Sequence, residues 1–222
     1  YSGSSGIGSF SRFDRSGQLS LFADIEELER PHASLIVLPT SLLHNWRKEA
    51  GKFTRLSVCE YSGPNHLKGT SMEQLFNRSN LILTSYGIMR NNIDELSKYS
   101  FEYVVLDESQ NIKNSDSLTF KAAIRLRAKH RLGLTGTPIE NSLKDLWAQF
   151  HFIQPDVFGT EADYQKQYIN PIKQGNQRIE QKLLKLISPF ILRRSKQEVA
   201  PELPSLTEEV IYCEMTDDQK DI

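Results

Sequence analysis

Two neighbouring carboxylates, Asp107 and Glu108, follow directly on the apolar run Tyr103-Val104-Val105-Leu106. Thr135, Gly136 and Thr137 follow a second run, Arg131 to Leu134, and the segment between the two runs can form a helix. A strand, a helix and a strand in that order make a parallel unit. In open parallel sheets ligands bind at the carboxyl ends of the strands. Adjacent acids at such an end suit a magnesium nucleotide, with Asp107 to hold the hydrated Mg²⁺ and Glu108 to orient and deprotonate an attacking water.

Small hydroxyl residues recur at two other strand ends. Leu35 to Leu38 is a continuous apolar run, as expected of a strand covered on both faces, and it leads through Pro39 to Thr40 and Ser41. A helical pattern with Leu43, Trp46 and Ala50 follows, so Thr40 or Ser41 is expected to cap that helix. Leu81 to Leu83 repeats the arrangement, followed by Thr84, Ser85 and Tyr86 and by a helix with Met89, Ile93 and Leu96 on one face. The bland reading of these hydroxyls is capping. The functional reading is a surface that tracks nucleic-acid phosphates, since helix N-termini after parallel strands bind phosphate. Arg90 can add charge to it, or be a solvated surface residue.

The remaining sequence must position these groups. The 222 residues are 38% hydrophobic and 25% charged with a formal net charge of −1, an ordinary globular balance that neither requires nor excludes nucleic acid. No stretch approaches the roughly 20 apolar residues of a membrane span, and no secretory signal is visible. Cys59 and Cys213 lie far apart without metal-ligand spacing, and the five histidines are scattered, so an intracellular protein without a zinc site is expected.

Residues 1–20 are mostly Ser and Gly and read as a flexible segment or tag. Leu21 to Arg30 reads as an amphipathic helix through Leu21, Ile25 and Leu28. Leu56 to Tyr61 is a short strand. Asn141 to Gln154 is a helix whose Leu143, Leu146, Trp147 and Phe150 belong to a core rather than to a base-stacking surface. Gly159 to Asn176 reads as polar connection, and Ile179 to Ile187 as a helix broken at Ser188-Pro189. Ile191 to Lys196 then brings three basic residues beyond an apolar anchor. Pro201 to Pro204 is a stiff linker, and Val210 to Met215 starts a further strand. The alternation of strands and helices up to Phe150 is that of a parallel α/β sheet, with helices added after it.

Five stretches in order, LIVLPTSLLHNW at 35–46, LILTSYGIMR at 81–90, DESQ at 107–110, LTGTPIENSLKDLW at 134–147 and PFILRRSKQEVAPELP at 189–204, resemble the Swi/Snf-type DNA translocases of helicase superfamily two. The likeness runs from about Leu21 onward. It implies a RecA-like parallel sheet flanked by helices, of P-loop NTPase type. It also implies ATP and Mg²⁺ as cofactors, and hydrolysis coupled to movement on double-stranded DNA. On this reading residues 21–140 are the first RecA-like lobe, 141–200 a helical protrusion, and 201–222 a linker and the start of a second lobe.

Residue by residue, the likeness assigns Asp107 to Mg²⁺, Glu108 to water activation and Gln110 to coupling between the nucleotide and DNA sides. Thr135, Gly136 and Thr137 would link hydrolysis to movement. Thr40, Ser41, Thr84, Ser85 and Tyr86 would contact the DNA backbone, with Lys113 close by. The likeness further implies a monomer, with protein partners engaged through other regions and no membrane contact. The compartment would be the cytoplasm or nucleoid of a bacterium, favoured by the Gln110 form of the acid box, or a nucleus. The alternatives are another superfamily-two unwinding helicase, on DNA or RNA, and an inactive scaffold lobe.

One departure stands out. The family's Gly-Lys-Thr phosphate loop does not occur in the 222 residues; by spacing it belongs directly before the helix at 19–28, where the chain reads Asp14-Arg15-Ser16-Gly17-Gln18. Residues passed over before Leu19, a chain made without the loop, and a relative that has lost it are the three explanations. The first is favoured, because Gln18 onward fits the helix behind the loop. The likeness further places arginine fingers on the second lobe, so the chain alone is expected to hydrolyse ATP poorly.

Overall fold

The computed structural model describes residues 33–63, 71–136, 142–194 and 196–199. The expected segment 1–20, the helix at Leu21 to Arg30, Thr137, the linker at Pro201 to Pro204 and the strand at Val210 to Met215 lie outside the described residues. The described chain divides into two compact units between Lys173 and Gln174.

The first unit contains a parallel sheet of five strands. They are β1 (Ser34–Leu38), β2 (Val58–Glu60), β3 (Leu81–Ser85), β4 (Ser100–Asp107) and β5 (Arg127–Leu134), in the order β2-β3-β1-β4-β5. Every adjacent pair is parallel, so all five carboxyl ends lie on one edge. The chain leaves β1 toward the β2 side and leaves β4 toward β5 on the other side. The crevice between β1 and β4 is therefore the topological switch point, where open α/β sheets bind their ligands.

β1 is apolar at every position from Leu35 to Leu38 because both of its faces are covered: all four residues are buried. On one face Ile36, Leu38 and Leu83 form a cluster with Leu43 and Trp46 of helix α1 (Leu43–Phe53). The opposite face carries Leu35, Val37, Ile82 and Thr84, likewise buried. Near its amino end, Phe76 meets Tyr61, Tyr99 and Phe101 ring to ring at centroid distances of 5.3 to 5.9 Å.

Several helices start at a serine hydroxyl. Ser71 opens α2 (Met72–Asn77), Ser85 opens α3 (Tyr86–Asn91), Ser117 opens α5 (Leu118–Arg125) and Ser142 opens α6 (Leu143–Ile153), each accepting from a backbone N–H three residues on. The expected single helix through Met89, Ile93 and Leu96 is two: Asn92 interrupts it, its side chain donating to the Ile88 carbonyl, and α4 (Ile93–Leu96) follows. All three apolar residues are buried as expected.

Gly159 to Asn176 is not a mere polar connection. It holds α7 (Glu161–Tyr164), a π-helical turn at Gln165–Ile169 and α8 (Asn170–Lys173). Tyr164, Tyr168 and Ile169 share one buried face, and Phe158 meets Tyr164 in a tilted and Tyr168 in an edge-on ring contact. Trp147 is a core residue, 5% exposed and stacked on His151 at 4.7 Å. The second unit holds α9 (Gln177–Ile187), a 3₁₀ turn at Ser188–Phe190 and α10 (Lys196–Val199). Among the described residues no helix is long and apolar enough to cross a membrane.

Candidate functional site

Asp107 ends β4 at the switch point, and its carboxylate is held by two donors. Trp46 Nε1 of α1 donates to Oδ2 at 2.7 Å, and the Glu108 backbone N–H donates to Oδ1 at 3.0 Å. The first of these bonds spans the crevice between β1 and β4. An ionised carboxylate offers about four acceptor positions, so two remain for a metal ion or its water ligands. The donor set is the hard oxygen that Mg²⁺ prefers, and Asp107 fits that role.

Glu108 has φ 53° and ψ 56°, the left-handed conformation, and is the only non-glycine residue with positive φ among those described. Such a residue costs about 1–3 kcal/mol and persists where its surroundings over-determine it. Four contacts hold the turn. Asn111 donates its backbone N–H and its Nδ2 to the Glu108 carbonyl at 3.0 and 2.8 Å. Tyr86 donates its hydroxyl to the Asp107 carbonyl at 2.8 Å. Ser109, 3% exposed, donates to Gln149 of α6 at 2.9 Å.

The Glu108 side chain is the end of a relay. Thr135 Oγ1 donates to Gln110 Oε1 at 2.9 Å, and Gln110 Nε2 donates to Glu108 Oε2 at 2.8 Å. The amide of Gln110 thus meets Thr135, just past β5, with its oxygen and the acid with its nitrogen. Asp107 and Leu134 are register partners, so the acid pair and the start of the segment after β5 lie side by side.

Burial pushes the Tyr86 phenol up, and the carboxylates of Asp107 and Glu108 push it further, so Tyr86 stays protonated and donating. Arg131, on β5, is not a free cation for phosphate. It donates to the carbonyls of Phe152 and Leu126 at 3.0 and 2.8 Å, and burial lowers its pKa.

Asp107, Glu108, Gln110, Thr135 and Tyr86 are thus brought together. Gly136 follows Thr135 and is exposed; Thr137 lies outside the described residues. The other expected positions differ in kind. Thr40 and Ser41 are exposed but cap no helix: they sit in a 3₁₀ turn, Thr40–Leu42, and neither Pro39 nor Leu42 makes a side-chain cap bond. Thr84 is fully buried and donates to the Tyr61 carbonyl at 2.8 Å, so it presents nothing to a phosphate. Ser85, 7% exposed, caps α3 by accepting from Ile88 N at 3.2 Å. Arg90 and Lys113 are exposed on the surface.

Trp46 and Gln149 were missed as site residues. Helical spacing alone places both on amphipathic helices. Gln149 had a signal, as a polar residue flanked by Leu146, Trp147, Ala148 and Phe150. The alternation of β3 places Thr84 on the same face as Ile82, and both faces of this strand are covered.

A five-stranded parallel sheet flanked by helices, with an acid pair at its switch point, defines a RecA-like fold. Its structural neighbours are ATPase cores of that fold. The Sulfolobus solfataricus SWI2/SNF2 ATPase core in complex with dsDNA is similar at 34% identity with a TM-score of 0.67, over 81% of this chain and 37% of that one. The same archaeal core domain in a second structure matches at 33% identity and a TM-score of 0.67, over 90% of this chain and 41% of that one.

The SNF2-related domain model matches residues 17–222, and the chain belongs to that family. It is 39% identical over 188 residues to an uncharacterized ATP-dependent helicase of Mycoplasma genitalium, covering 84% of this chain and 18% of that protein. It is 37% identical over 209 residues to the putative ATP-dependent helicase/translocase YwqA of Bacillus subtilis, covering 90% and 22%. It is also 37% identical over 200 residues to the TATA-binding protein-associated factor mot1 of Schizosaccharomyces pombe, covering 84% and 10%. The chain therefore spans about a tenth to a fifth of these curated relatives.

Proposed function

We propose that this chain is the first RecA-like lobe of an ATP-dependent double-stranded DNA translocase, and that Asp107 and Glu108 are its hydrolytic pair. The observation that carries the reading is the Thr135–Gln110–Glu108 relay at the switch point, which ties the acid to the segment after β5. The family, the relatives named as helicases and translocases, and the similar archaeal core bound to dsDNA support it.

Asp107 would hold Mg²⁺ through the acceptor positions that Trp46 and Glu108 N leave open. The bound metal would neutralise charge on the nucleotide phosphates. Glu108, fixed by its left-handed backbone and by Gln110, accepts the proton of a water placed before it. Gln110 orients Glu108 with its amide nitrogen while its oxygen stays with Thr135. A shift of the 135–137 segment pulls Gln110 and turns the acid, which gives the fold a path between hydrolysis and motion.

For DNA, Arg90 and Lys113 supply exposed charge, and Thr40 and Ser41 supply exposed hydroxyls and amides after β1. Ser85 opens the helix that carries Arg90, and Tyr86 ties that helix to the acid turn. The proposed division places the lobe at 21–140 and a helical protrusion at 141–200, with protein partners bound elsewhere on a longer protein. Turnover of the intact protein by duplex DNA, single-stranded DNA and RNA tests the reading. Duplex DNA should stimulate most; stimulation by RNA alone would sink it.

A further inference from the structure

Ser109 directly follows the acid pair, and its buried hydroxyl joins three elements. It donates to Gln149 Oε1 of α6 at 2.9 Å. Its other side is closed by β5: a Cβ on Gly133 would lie 3.3 Å from both Ser109 Cβ and Oγ, and 3.6 Å from Ile153 Cδ1 of α6. Arg131 clamps the same helix to the same strand by donating to the Phe152 carbonyl at 3.0 Å.

An alanine facing a leucine would fill this space without burying polar atoms, and replacing both partners of a buried bond by apolar groups is often nearly neutral. The hydroxyl and the amide therefore add direction rather than packing. Direction matters here because Glu108, one residue before, is held in the left-handed region. A turn that relaxes toward ordinary φ carries the Glu108 side chain away from Gln110.

We propose that Gln149 is a positioning residue for Glu108. By holding Ser109 it keeps the acid turn in its left-handed form, and so makes the seating of α6 against β5 a condition for the hydrolytic geometry. The role rests on Asp107 and Glu108 being the hydrolytic pair, as inferred above.

Two variants separate the bond from the bulk. Gln149→Met keeps length without a strong acceptor, and Gln149→Glu keeps an acceptor oxygen. In native-state hydrogen exchange on the 222-residue chain, the probes are the Asn111 and Lys113 amides, which bond to the Glu108 and Gln110 carbonyls. Both should exchange about tenfold faster in Q149M, and within about twofold of wild type in Q149E, with β1 and β3 unchanged. In the intact protein, Q149M should lower kcat for ATP with KM unchanged, and Q149E should restore it.

Unchanged exchange at both amides in Q149M overturns the proposal, as does acceleration spread over the whole sheet. Local loosening with kcat unchanged removes Gln149 alone. If the wild-type intact protein turns over no ATP, the hydrolytic reading fails and the positioning role falls with it.

Discussion

Replacing Trp46 by Phe removes one hydrogen bond and little packing, because the ring can still lie on Ile36, Leu38 and Leu83. The lost bond runs from the indole N–H to the Asp107 carboxylate at 2.7 Å. A bond to a charged group contributes about 1.5–3 kcal/mol, and partial exposure puts this one at about 2 kcal/mol. With a urea slope of about 2 kcal/mol/M, Trp46→Phe lowers the unfolding midpoint by about 1 M. Urea unfolding followed by circular dichroism measures it, since the substitution itself alters fluorescence. The substitution also removes some buried area, so the decisive quantity is the coupling between Trp46→Phe and Asp107→Ala in a double-mutant cycle. The structure predicts about 1.5–2.5 kcal/mol; a value below about 0.5 kcal/mol would refute the claim that Trp46 orients the acid.

Four further outcomes follow from other contacts. Thr84→Val leaves the Tyr61 carbonyl without its buried donor, lowering stability by about 1–2 kcal/mol while duplex DNA affinity of the intact protein, read by fluorescence anisotropy, stays unchanged. Glu108→Gln in the intact protein abolishes turnover and leaves nucleotide binding by calorimetry largely intact. Burial raises the Cys59 thiol pKa, so at pH 8 its alkylation, followed by peptide mass mapping, runs slower than that of free cysteine. Burial lowers the His151 pKa below its ordinary 6.5, with Arg131 adding to the effect. The unfolded chain then binds the proton first, so this contribution to stability is complete above pH 6.5 and is lost as pH falls through the depressed value. His151→Phe should flatten that slope in urea titrations between about pH 7 and 5.

The sheet was legible because its strands are apolar runs ending in polar residues, the pattern that doubly covered parallel strands impose. The acid pair was legible for the same reason: Asp107 and Glu108 stand where such a strand stops. Two kinds of information were not local. Trp46 and Asp107 are 61 residues apart, and periodicity says only that Trp46 faces a core, not that its nitrogen meets a carboxylate there. The roles of the hydroxyls depend on which partner each one meets in the fold. Thr84 looks like a phosphate contact in the one-dimensional recurrence, yet β3 is covered on both faces and the Thr84 hydroxyl is taken up by the Tyr61 carbonyl. The segment from Gly159 misled for a third reason. Its tyrosines bury large rings behind polar neighbours, and a π turn shifts the 3.6-residue period that would reveal them.

The relay from Thr135 through Gln110 to Glu108 joins the acid to the segment after β5. The most direct measurement is the steady-state ATPase rate of the intact protein with and without duplex DNA, for wild type and Gln110→Ala. Duplex DNA should stimulate the wild type, and Gln110→Ala should lose this stimulation while still binding nucleotide and DNA. Full stimulation in Gln110→Ala would contradict the relay's role.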